Sequence, residues 1–130
     1  MPAEVIQALE AAVDKKALEP VVLDLRGLSD VADFFLLCAG TSDRQVQAIA
    51  EGIEERLSVQ FKRRPSHVEG RRHGDWILLD YIDFVVHVFR EETRRFYRLE
   101  RLWGDAPALD PRTLTPSLAA ARPVRRSRTV

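Results

Sequence analysis

Phe34-Phe35-Leu36-Leu37-Cys38-Ala39-Gly40-Thr41-Ser42-Asp43-Arg44-Gln45-Val46 switches from one structural period to another without a linker. Phe34 to Cys38 is continuously apolar, the pattern of a central strand covered on both faces. Ala39-Gly40-Thr41-Ser42 ends that strand and opens a helix. Ser42 followed by Gln45 makes a capping box, in which the serine oxygen takes an orphan N–H and the glutamine reaches back. Val46, Ile49, Ala50, Ile53 and Leu57 then recur at helical spacing, an apolar stripe suited to packing on a sheet, and Asp43 suits the first turn. A buried strand feeding an amphipathic helix through a short turn is an α/β signature.

Working outward, Ala3 to Leu18 reads as a helix with Val5, Leu9, Ala12, Val13 and Lys16 on one face, Pro2 near its start and Pro20 as its stop. Val21 to Leu25 is a short β-rich run, and Gly27 to Asp30 a turn. Beyond the central helix and a basic link, Lys62-Arg63-Arg64-Pro65, a short strand is expected around His67 to Gly70. Trp76 to Tyr81 and Phe84 to Phe89 read as an antiparallel hairpin around Ile82-Asp83. On its first strand Trp76, Leu78 and Asp80 share one face, and Ile77, Leu79 and Tyr81 the other. Glu91 to Trp103 closes the body as a helix, with Phe96, Leu99 and Trp103 along one side and Gly104 at its stop. The predicted order is αββαβββα: a single α/β domain with a mixed β-sheet packed with helices.

The 130 residues carry 20 basic and 20 acidic side chains, but the balance hides an asymmetry. Residues 1–104 hold 15 basic and 18 acidic groups, a net of −3, while residues 105–130 hold five arginines against two aspartates, a net of +3. That last stretch also carries Pro107, Pro111, Pro116 and Pro123 and no periodic apolar face, so a disordered Pro/Arg-rich tail is expected after a folded body of residues 1–104. Its arginines without interleaved aromatics suit at most weak, salt-sensitive contact with RNA. One cysteine excludes an internal disulfide, and the acid-containing N-terminus fits neither a secretory nor a transit signal. No run approaches the ~20 apolar residues of a membrane span. The expected setting is cytoplasmic.

Several chemistries can be weighed against these residues. Cys38 and His87 invite a nucleophile–base reading, but a cysteine inside Phe35-Leu36-Leu37-Cys38-Ala39 behaves as a small hydrophobe. His67, His73 and His87 lack the spacing of a zinc site, so no metal or cofactor is expected. Gly40-Thr41-Ser42 at a helix start, with Asp80 and Asp83, offers an alternative: a magnesium-dependent nucleotidyltransferase with a phosphate cradle and metal carboxylates. Against it, carboxylates on one strand face are two residues apart, whereas Asp80 and Asp83 are three apart and suit a turn. The better lead is aromatic. Trp76 and Tyr81 at opposite ends of one strand cannot both be deep on the same side, which leaves one to anchor a protein partner beside Asp80, Glu69 and His87.

Taken together, three blocks have a recognisable order. The first is Asp33-Phe34-Phe35-Leu36-Leu37-Cys38-Ala39-Gly40-Thr41-Ser42-Asp43-Arg44-Gln45-Val46-Gln47-Ala48-Ile49-Ala50. The second is Gly74-Asp75-Trp76-Ile77-Leu78-Leu79-Asp80-Tyr81, continuing through Val85-Val86-His87-Val88-Phe89-Arg90-Glu91-Glu92. The third is Phe96-Tyr97-Arg98-Leu99-Glu100-Arg101-Leu102-Trp103, and His67-Val68-Glu69-Gly70 fits between the first two. Over Ala3 to Pro107 this set resembles the ribosomal silencing factor family, RsfS, also called Iojap-like. The resemblance implies a nucleotidyltransferase-like α/β fold that has lost the metal carboxylates, and a protein that is not an enzyme and needs no cofactor. It implies binding to ribosomal protein fourteen of the large ribosomal subunit, blocking small-subunit joining and repressing translation when nutrients are scarce. On this chain the partner-binding residues would be Trp76, Asp80, Tyr81, Glu69 and His87. Exposed strand edges and aromatics would also allow a homodimer. One position departs from the family pattern: Ile82 stands where a glycine is usual, at a cost of about 1–2 kcal/mol if the turn needs a left-handed residue.

Overall fold

Phe34–Gly40 forms β2, and every one of its residues is buried. The computed structural model describes residues 1–97 and 107–109. Around β2 are α1 (Ala3–Asp14), β1 (Leu18–Asp24), α2 (Asp43–Phe61), β3 (His67–Glu69), β4 (Trp76–Asp80), β5 (Phe84–Arg90), α3 (Glu91–Tyr97) and β6 (Ala108–Leu109). The sheet order is β3-β4-β5-β2-β1-β6. β2 and β5 run parallel, Phe34 opposite Phe84 and Gly40 opposite Arg90, and every other pair is antiparallel. The expected single α/β domain with a mixed sheet is therefore the observed one, with β6 added. Among the described residues no helix is long and apolar enough to cross a membrane.

Strand alternation divides the core in two. Val22, Phe34, Leu36, Cys38, Ile77, Leu79, Tyr81, Phe84, Val86 and Val88 turn towards α1 and α2, meeting Val5, Leu9, Val46, Ile49, Ile53 and Leu57. Leu23, Leu25, Ala32, Phe35, Leu37, Val85 and Phe89 form a second, smaller cluster on the other face, with Val21, Trp76 and Leu78 at its margin. α3 leaves β5 directly and packs on β5 and β2. At about 1.5–3 kcal/mol per fully buried aliphatic or aromatic side chain, the double-sided burial of β2 makes it the element on which the rest is built.

Four local expectations change. The first helix stops at Asp14 rather than Leu18: Lys16 is left-handed (φ 65°), and the Lys16 and Ala17 amides donate back to Val13 and Ala12 at 2.8 and 3.0 Å, a Schellman stop. Lys16 is thus exposed rather than laid along the buried face. Pro20, expected to end the helix, lies within β1 where the register shifts between Leu18 and Val21, a position that needs no ladder N–H. The capping box closes differently. Ser42 Oγ accepts the Gln45 N–H at 3.1 Å, but Gln45 Oε1 takes the Thr41 N–H at 2.7 Å, and its Nε2 donates to the Lys16 carbonyl at 3.1 Å. That glutamine joins the start of α2 to the end of α1.

The fourth lies in the expected tail. Ala108–Leu109 forms a short strand paired with β1, Leu109 opposite Val22. The remainder of that stretch, and the second half of the helix expected over Glu91 to Trp103, lie outside the described residues.

Candidate functional site

β3, β4 and β5 bring four of the five expected partner-binding residues onto one face of the sheet. Trp76, Leu78 and Asp80 point away from α1 and α2; their cross-strand partners on β5 are Phe89, His87 and Val85. On the outer side Glu69 lies opposite Leu78 and His67 opposite Asp80, completing a strip at the β3–β4 edge. Trp76 and Leu78 are partly exposed apolar groups at its centre. Glu69, whose carboxylate lies 2.6 Å from His67 Nε2, and Asp75 leave most of their side chains in solvent.

The indole of Trp76 is oriented from beneath. Its ring lies 4.9 Å from Phe89 and 6.0 Å from His87, and its Nε1–H donates to His87 Nδ1 at 3.1 Å. His87 is only 4% exposed, with Phe35 edge-on at 4.6 Å. Burial pushes its pKa down to about 4, so the imidazole is neutral near pH 7. Its Nε2 finds no partner among the described residues. His87, expected as a contact, therefore lies under the surface that Trp76 presents.

Asp80 is turned partly to its own chain. Its Oδ1 accepts the Ile82 N–H at 2.8 Å, an Asx-type turn. Ile82 there adopts φ 79°, so the turn does need a left-handed residue. Tyr81 corrects an expectation: it is 0% exposed and belongs to the helix-side core, its ring stacked on Phe84 at 4.9 Å. Arg63 covers it, the guanidinium 5.6 Å from the ring centroid, and donates to the Tyr81 carbonyl at 2.6 Å and to Asp83 at 3.0 Å. Burial raises the pKa of its hydroxyl. Of the two aromatics, Trp76 is the partly exposed one and Tyr81 the buried one.

Three residues that shape this part of the fold escaped the sequence reading. Arg63, read as part of a basic link, turns inward and also pairs with Glu4 at 3.7 Å. Gly70 (φ 83°) lies so close to β4 that an added Cβ would stand 1.9 Å from the Trp76 carbonyl oxygen. Gly74 (φ 73°) is packed on Asp43, where an added Cβ would stand 2.7 Å from the aspartate Cβ and 3.0 Å from its carbonyl oxygen. A glycine on each side of the three-residue turn Arg71-Arg72-His73 before Trp76 was the available signal.

The alternative chemistries are not assembled. In the parallel β2–β5 pair, Asp83 lies at the end where β2 begins and Gly40-Thr41-Ser42 at the end where it finishes, six register steps or roughly 20 Å away. The Thr41 amide and hydroxyl are both taken by Gln45. Cys38 is fully buried, its thiol pushed up to about 12, and it faces the opposite side of the sheet from His87. No cluster of three metal-ligating side chains occurs among the described residues.

Comparison with known proteins places these features in a family. The family model for "Ribosomal silencing factor during starvation", RsfS, matches residues 1–129, beyond the Ala3 to Pro107 span of the quoted motifs. The chain is 46% identical over 106 residues to the ribosomal silencing factor RsfS of Bacillus subtilis, a match covering 79% of this chain and 86% of that protein. It is 44% identical over 106 residues to the RsfS of Halalkalibacterium halodurans, covering 79% and 87%. A crystal structure of a Bacillus halodurans protein superposes with a TM-score of 0.72 at 40% identity, over 82% of this chain and 95% of that one.

Proposed function

This chain belongs to the ribosomal silencing factor family, and from that membership we propose that it binds the large ribosomal subunit through ribosomal protein fourteen and keeps the small subunit from joining, repressing translation. The observation that carries the reading is the strip around Trp76: a partly exposed indole and Leu78, flanked by Glu69 and Asp80 on the sheet face opposite α1 and α2. An aromatic anchor with an acidic rim suits a basic protein surface, because the anchor supplies affinity and the rim steers approach. Trp76, Asp80 and Glu69 are the contact residues in this proposal. Tyr81 supports the turn from the core, and His87 lies beneath the indole. Steric exclusion needs no turnover, and none of these groups is asked to do chemistry. The setting proposed is the cytoplasm.

Sedimentation with separated ribosomal subunits tests it. The protein should travel with the large subunit and reduce the joined-ribosome peak. Trp76→Ala, folded by circular dichroism, should bind more than about thirtyfold more weakly, the loss expected of a hot-spot tryptophan at 2 kcal/mol or more. Unchanged co-migration of that variant would remove the strip as the binding surface.

A further inference from the structure

His87 is placed where it costs the fold something. An imidazole 4% exposed, with Nε2 unpartnered among the described residues, is less favourable in a core than an apolar side chain of similar size. What the site holds in exchange is one acceptor, Nδ1, aimed at the Trp76 indole N–H at 3.1 Å. The imidazole is held edge-on by Phe35 at 4.6 Å and parallel to Phe89 at 6.0 Å, so its plane is set by β2 and β5 rather than by Trp76. Trp76 lies diagonally across from it, since Trp76 is opposite Phe89 and Leu78 opposite His87.

We propose that His87 is the positioning residue of the partner-binding strip: its Nδ1, in the Nε2–H tautomer, fixes the indole of Trp76 in the rotamer that meets the partner. The proposal rests on the reading of Trp76 as a contact and deepens it. Because burial keeps the imidazole neutral, the Nδ1 lone pair is available throughout the physiological range. With the acceptor present the indole is pre-organised, and binding does not have to order it. Without the Nδ1 acceptor the indole N–H loses this bond and the ring is less firmly oriented.

The arrangement predicts a division between stability and binding. His87→Leu removes the acceptor and the orphaned N–H together, so the fold should be retained while large-subunit affinity falls about five- to tenfold, the worth of one hydrogen bond of orientation. His87→Asn, whose side-chain oxygen lies near the place of Nδ1, should restore most of that affinity. The direct readout is nuclear magnetic resonance on the full chain in a Trp103→Phe background. A scalar coupling between indole Nε1 and imidazole Nδ1, with imidazole nitrogen shifts of the Nε2–H tautomer, is expected.

Absence of that coupling, or equal affinity for His87→Leu and His87→Asn, overturns the proposal. The parent reading fails separately: if Trp76→Ala binds as tightly as the unsubstituted chain while the chain that keeps Trp76 shows the coupling, the hydrogen bond stands but the strip is not the interface. Loss of binding in Trp76→Ala with no coupling present refutes the role of His87 alone.

Discussion

Ile82 stands at φ 79° with 66% of its surface exposed, so a β-branched side chain pays for a left-handed backbone while leaving most of its surface in solvent. Ile82→Gly should relieve about 1–2 kcal/mol of strain, less about 0.5–1 kcal/mol for the greater freedom of glycine in the unfolded chain. A net gain of about 0.5–1 kcal/mol in urea unfolding is the expected outcome, and a loss of stability would show that Ile82 makes a contact worth more than its strain. His87 makes a second residue-level prediction. Its folded pKa of about 4 lies below the ordinary 6.5, because burial disfavours the imidazolium. Between those values the unfolded chain takes up a proton that the folded chain refuses, so stability is full above about pH 6.5 and falls as pH drops towards 4. The decline is at most about 3 kcal/mol from this group. Comparing the unsubstituted chain with His87→Leu over pH 4–7 isolates it; parallel curves would mean that His87 is protonated in the fold.

At the scale of elements, the β3–β4 connection decides where Trp76 stands. Gly70 allows the chain to pass against the Trp76 carbonyl, and Gly74 allows the turn to close on Asp43 at the start of α2. Gly70→Ala places a Cβ into backbone that cannot retreat, at a φ that alanine resists. The expected cost exceeds about 2 kcal/mol, with large-subunit binding weakened because the start of β4 must move. Near-normal stability and affinity in that variant would show that the loop has another conformation of similar energy. The α1–α2 junction is held differently. Gln45 spends its side chain on Thr41 and on the Lys15 and Lys16 carbonyls, and Arg56 on α2 bonds Asp14 and Gln7 on α1. These ties hold the two helices as one layer against one face of the sheet.

For the whole molecule, the Trp76 strip and the basic end of the chain can be tested apart. Residues 110–130 contain all five arginines after residue 104, whereas β6 ends at Leu109. A chain of residues 1–109 should therefore keep large-subunit affinity within about threefold while its salt dependence becomes shallower, as fewer cations meet phosphate. Complete loss of binding would move the interface to the tail and away from Trp76. The motifs, the strand at Phe34, the stripe along α2 and the β4–β5 hairpin were legible in the sequence, because period, turn chemistry and capping are short-range and act through neighbouring residues. Opposite faces for Trp76 and Tyr81 were legible too, since alternation along a strand needs no partner. Which of the two faced the helices was not. That depended on β2 pairing with β5 and on α1 and α2 covering one side, contacts between residues far apart in the chain. The same holds for Arg63, whose inward turn needs Glu4 and Asp83, and for β6, whose two residues make a strand only against β1. The sequence by itself determined the family and the elements other than β6. Only the tertiary structure decided that Trp76 is presented, Tyr81 buried and His87 placed beneath the indole, because burial is settled by what packs on a face and not by the strand that forms it.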